Sequence, residues 1–157
     1  MPDPSPAAKA LSPNERRGRR LFTTGAILLL LMGLVHSLSF IKAPVPANET
    51  ERQLLDLMSN YKFNLLGSMR SMNNLMTGFS ISFMLAALGF GALDFVLRRE
   101  PSQLLKRIAL VNTIWLALMT AVSLRYFFAA PTSFLAAALL IFLFAALTLP
   151  STSTASP

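Results

Sequence analysis

A few side chains in this chain could do chemistry, and most sit where apolar runs begin or end. His36 is the only histidine. Arg70 stands just before a long apolar stretch whose first turns carry Asn73, Asn74 and Thr77. Arg125 and Tyr126 close another such stretch. Arginines, an imidazole and amides with few acids nearby suit an anionic or hydrogen-bond-accepting ligand. A lipid headgroup or a quinone carbonyl has that chemistry. Ionisable groups inside a membrane are costly and face a bundle interior or a wet cavity. If the runs cross a bilayer, His36, Ser39, Arg70, Asn73, Asn74, Thr77, Ser123, Arg125 and Tyr126 share a depth near the outer surface. The competing reading is that they are glue between helices, at about 0.6 kcal/mol per hydrogen bond.

Other chemistries lack their residues. There are no cysteines, which excludes disulfides, thiolate metal sites and cysteine nucleophiles. One histidine supplies one axial haem ligand, and Met32, one turn away on the same helix, cannot reach the opposite face. No cluster of ligand residues has metal spacing. His36 has no acid on its own helix to orient it, and no phosphate loop or carboxylate pair is present. No catalytic residue, metal or cofactor is therefore expected. Asp94 lies four residues before Arg98, a spacing that favours an ion pair, and Asn112 falls at a similar depth.

Composition explains what must position these residues. Of 157 residues, 54% are hydrophobic and 13% charged, against about a quarter charged in soluble domains. This is an integral membrane composition. The net charge of +7 sits beside apolar runs, so it reads as topology signals and headgroup contacts, and nucleic acid is not an expected partner.

Four spans are predicted, at about 21–41, 71–97, 108–127 and 132–149. Residues 1–20 read as a basic disordered tail containing ERRGRR, and 150–157 as a second tail. A cleaved signal peptide ending near Val45-Pro46-Ala47 competes for the first run, which is longer than a typical signal core. Between the first two spans, Leu54, Leu55, Met58, Tyr61, Leu65 and Met69 predict an amphipathic helix over about 50–69, capped by Asn48 or Thr50. Basic residues before the first span, at Arg98-Arg99 and at Lys106-Arg107 mark one side as cytoplasmic. The expected fold is all-α: a four-helix transmembrane bundle with both termini cytoplasmic and the amphipathic helix in the first outer loop. Under it, single cysteines at Ser59 and Ser102 label from opposite sides. Gly78, Ser82, Ala86 and Gly89 give the second span a small-residue face for close helix packing.

Two motifs carry a resemblance. Gly33-Leu34-Val35-His36 in the first span and MTGFSISF, Met76 to Phe83, in the second are similar to those of small uncharacterised bacterial four-span membrane proteins. The resemblance covers about residues 21–97. It implies a four-span fold in a bacterial inner membrane, and it carries no activity or binding residues. At the level of four spans the chain is also similar to DoxX-like proteins. The expected role is a non-enzymatic structural or accessory membrane subunit. Its partners are then the lipid bilayer and either further copies of itself or another membrane subunit. The alternative is a lipid- or quinone-binding protein using His36, Arg70, Asn73, Asn74, Thr77, Arg125 and Tyr126. A small transporter is the weaker third reading, because no midplane acid and no internal repeat is found.

Overall fold

The computed structural model describes residues 11–41 and 44–151. The tails expected at 1–10 and 152–157 lie outside them. The chain folds in the order α1 (Pro13–Ser37), a 3-10 turn (Leu38–Phe40), α2 (Glu49–Asn60), β1 (Lys62–Leu65), β2 (Ser68–Ser71), α3 (Met72–Leu97), α4 (Ser102–Tyr126) and α5 (Ala129–Thr148). Four helices are long and apolar enough to cross a membrane: α1 with its 3-10 extension, α3, α4 and α5.

The helices run past the apolar stretches at their basic ends. α1 starts at Pro13, where a missing N–H costs nothing, and the Ser12 hydroxyl accepts from the Glu15 N–H. The basic cluster Glu15–Arg20 is therefore helical and not part of a tail. α4 likewise begins six residues before Ile108, so Lys106 and Arg107 belong to it. Hydropathy marks where a chain meets lipid, while charged residues with good helix propensity extend the helix beyond that point. α5 takes in Ala129 and Ala130, with Pro131 tolerated in its first turn.

The segment between the first two apolar runs departs from expectation. Of the two candidate caps it is Asn48 that starts α2, its side chain accepting from Glu51 N–H at 2.9 Å, while Thr50 lies inside the helix. Arg52 donates to Glu49 at 2.7 Å and holds that carboxyl below its ordinary range. But α2 stops at Asn60, and an antiparallel hairpin replaces the rest of the predicted helix, pairing Lys62 with Ser71 and Leu65 with Ser68. The turn needs positive φ at two positions, and Leu66 (φ 49°) and Gly67 (φ 87°) supply it. Asn64 accepts from Gly67 N–H at 2.8 Å and closes the turn. Leu66 is a poor residue for that conformation, and its side chain is fully exposed.

The chain divides into two compact units, with the divisions falling inside α1 and α3. The larger contains α1 up to Leu28 and everything from Gly91 onward. In it, α4 and α5 pack against each other. Ser102, Leu105, Ala109, Asn112, Leu116, Thr120 and Ser123 form the buried stripe of α4, at steps of three or four residues. Leu135, Ala138, Phe142, Ala145 and Ala146 form that of α5. Phe22 of α1 meets Phe142 edge-on, with centroids 5.6 Å apart. Gly25 lets the rings close: a Cβ there would lie 2.7 Å from the Phe142 ring.

The smaller unit is Leu29–Phe90. Its buried apolar residues are Leu29, Met32 and Ala87, and Gly33 of α1 sits against Leu88 of α3. The small-residue face expected to pack α3 closely does not do so against the described residues. A Cβ at Gly78 or Gly89 would meet nothing within 4 Å. Asn74, Gly78, Ser82, Leu85 and Gly89 are all exposed, and their spacing places them on one face.

These glycines should therefore respond oppositely to substitution. Gly25→Ala forces a methyl into a fully buried ring and should cost about 1–3 kcal/mol in thermal or SDS unfolding. Gly78→Ala should be neutral or stabilising by up to about 1 kcal/mol through helix propensity. Equal losses at both would contradict this packing.

Candidate functional site

The smaller unit contains His36, Arg70, Asn73, Asn74 and Thr77. His36 lies in the last turn of α1, and its Nε2 is 2.7 Å from Ser80 Oγ of α3. Its ring stands edge-on to Phe40 and Phe83, with centroids 5.9 and 5.2 Å away. An imidazole sandwiched by rings and bonded to a hydroxyl is held in place on three sides. Ser80 and Phe83 were not among the residues expected around it. The signal available in the sequence was the place of Ser80 among the polar residues in the first turns of that apolar run. Ser39, expected in the same cluster, donates instead to the carbonyl of His36 at 2.7 Å and shapes the 3-10 turn.

Arg70 is the penultimate residue of β2, and a capping arrangement begins at Ser71. Asn74 Oδ1 accepts from the Ser71 N–H at 3.1 Å and the Ser71 hydroxyl at 2.9 Å, while Ser71 Oγ accepts from the Asn74 N–H at 3.2 Å. This reciprocal bonding starts α3. It also turns Arg70 and Asn74 to one groove of about 380 Å³, whose other walls are Leu75, Gly78, Phe79 and Ser82. The four-residue steps from Asn74 through Gly78 to Ser82 along α3 are the sequence signature of that groove. The Arg70 guanidinium donates to its neighbour's carbonyl, Met69 O, at 3.1 Å. Among the described residues the ion pairs are Glu15–Arg19 and Glu49–Arg52, so no carboxylate neutralises Arg70. Asn73 and Thr77 are exposed.

Arg125 and Tyr126 belong to the larger unit, where both are exposed in the last turn of α4. Ser123, one turn earlier, is buried with its Oγ 2.7 Å from Thr132 Oγ1 of α5. Asp94 and Asn112 of the same unit are 2% and 4% exposed, and Asn112 Nδ2 donates to Asp94 Oδ2 at 2.7 Å. The expected Asp94–Arg98 ion pair does not form. The Arg98 guanidinium lies over the Phe95 ring, 3.8 Å from its centroid, and donates to Phe95 O. A helix-end arginine gains a ring face and a free carbonyl there, whereas reaching Asp94 would bury its charge.

At the basic end of the larger unit, Arg19 Nε donates to Ser102 Oγ at 3.1 Å, and the Ser102 hydroxyl donates to Glu15. Lys106 Nζ donates to Leu149 O at 3.0 Å and Ser151 Oγ at 2.7 Å, which satisfies a terminal carbonyl of α5. The starts of α1 and α4 and the end of α5 are thereby joined. Among the described residues no three His, Asp or Glu side chains gather as metal ligands would.

The Asp94–Asn112 bond should be measurable as a coupled pair. Asp94→Leu should cost about 1–3 kcal/mol, because it leaves the buried Asn112 amide unpaired. Asn112→Leu should cost a similar amount, and the double variant should recover part of the sum. Additive losses in a double-mutant unfolding cycle would show that the bond does not couple them.

Comparison of the chain with known protein families, with curated proteins and with solved structures gives no match.

Proposed function

We propose that this chain is a non-enzymatic, structural or accessory subunit of a bacterial inner membrane, in which the four long helices span as one bundle. The observation that carries this reading is the pairing of polar groups inside the long helices. His36 bonds Ser80, Asp94 bonds Asn112, and Ser123 bonds Thr132. Groups that close on one another hold helices together, and they are not left converging on a space where a substrate could react. The bacterial location rests on the resemblance read from the motifs at Gly33–His36 and Met76–Phe83 alone.

Both termini are cytoplasmic in this proposal, and α2 with its hairpin forms the first outer loop. The hydrogen bonds Arg19–Ser102 and Lys106–Leu149 support this topology. They gather the starts of α1 and α4 and the end of α5, and the Arg98-Arg99 turn leads directly into α4. Basic residues concentrated at one set of helix ends are retained on the cytoplasmic side. A second reading is favoured by the groove at Arg70, which would make this a ligand-binding membrane protein.

Ser102 is 6% exposed and bonded to Arg19, so exposed Glu100 is the better inner reporter. In intact inverted and right-side-out vesicles, cysteines at Ser59 and Glu100 should label from opposite sides. The same chain, purified gently, should carry a stoichiometric membrane partner or further copies of itself. Labelling from one side would end the topology, and a lone monomer would end the accessory role.

A further inference from the structure

We infer that the groove on α3 headed by Arg70 is a binding site for a single anionic phospholipid, with the phosphate at Arg70 and Asn74 and an acyl chain along Gly78 and Ser82. This rests on the ligand-binding reading of the groove and on α3 crossing a bilayer.

Charge selects the headgroup. Arg70 is exposed and unneutralised among the described residues, and a guanidinium pairs with phosphate through a planar fork of N–H donors. Asn74 uses its carbonyl oxygen on Ser71, and its Nδ2 has no hydrogen-bond partner among the described residues. An amide donor thus stands beside the cation.

Depth selects the tail. Arg70 lies two residues before Met72, where the apolar helix begins. From Met72 to Ser82 the helix rises about 15 Å at 1.5 Å per residue. That is half of a hydrocarbon core of about 30 Å, the depth of one leaflet. Along this length the walls are Leu75 and Phe79, and the floor is Gly78, where a side chain would meet only open space. A charged mouth over an apolar trough one leaflet deep fits a lipid in both parts. A quinone would use the trough and leave the guanidinium without an anion. A second copy of the chain would bring another Arg70 towards the same mouth.

The test uses the full chain in mild detergent, titrated with palmitoyl-oleoyl phosphatidylglycerol and, separately, with the zwitterionic phosphatidylcholine, read by native mass spectrometry. Wild type should retain one phosphatidylglycerol in preference to phosphatidylcholine. Arg70→Gln should lower that affinity about tenfold, the effect of about 1.4 kcal/mol, and abolish the preference. Gly78→Leu grows into open space, so it should fold normally and also lose the lipid about tenfold. Arg52→Gln, which removes an arginine elsewhere, should bind as wild type. Unchanged binding in both groove variants would overturn the site. If Gly78→Leu instead dissociates a dimer with lipid retention intact, a second copy covers this face and the inference fails. If a co-purified quinone is lost from Gly78→Leu but not from Arg70→Gln, the groove binds a ligand and the phospholipid assignment fails.

Discussion

Helices in a bilayer gain little from hiding apolar surface, because lipid tails are as apolar as leucine. Cohesion then has to come from close contact and from polar groups that find each other. In the larger unit the contact is Phe142 seated against Phe22 and Gly25, where no side chain beyond hydrogen fits. Gly33 plays the same part against Leu88 in the smaller unit. Both glycines are on α1, so this helix supplies the close approaches in each unit.

The polar groups complete the cohesion. A buried amide left unpaired costs about 1–3 kcal/mol, which is why Asp94 and Asn112 are found together. The same logic makes the exposed face of α3 informative. Asn74, Gly78 and Ser82 lie on a helix long enough to cross a membrane, yet among the described residues none covers them. Ser82 donates to the carbonyl of Gly78 at 2.9 Å, which quiets one hydroxyl. The Asn74 amide and the Arg70 charge stay exposed at the mouth of the groove.

Much of this was legible in the residues. Runs of apolar side chains located all four long helices, and Asn48 marked the start of α2. The misreadings have physical causes. Leu54, Met58, Tyr61, Leu65 and Met69 keep a helical spacing, but from Tyr61 the chain turns extended and Gly67 supplies a positive φ that ends any helix. A hydrophobic count cannot separate those two periods over ten residues. The Asp94–Arg98 spacing suited an ion pair, but only coordinates reveal that Phe95 offers Arg98 a ring and a carbonyl. The small residues of α1 and α3 look alike in sequence. Whether a glycine meets a ring, as Gly25 does, or open space, as Gly78 does, depends on which neighbour arrives.

In the proposed arrangement α3 turns one face to its own chain and the other to the membrane. A scan of single spin labels from position 74 to 89, in the cysteine-free chain reconstituted in lipid, tests it through oxygen accessibility. A helical period is expected, with maxima at 74, 78, 82, 85 and 89 and minima at Ser80, Phe83 and Ala87. A flat profile, or maxima on the Ser80–Ala87 face, would contradict it.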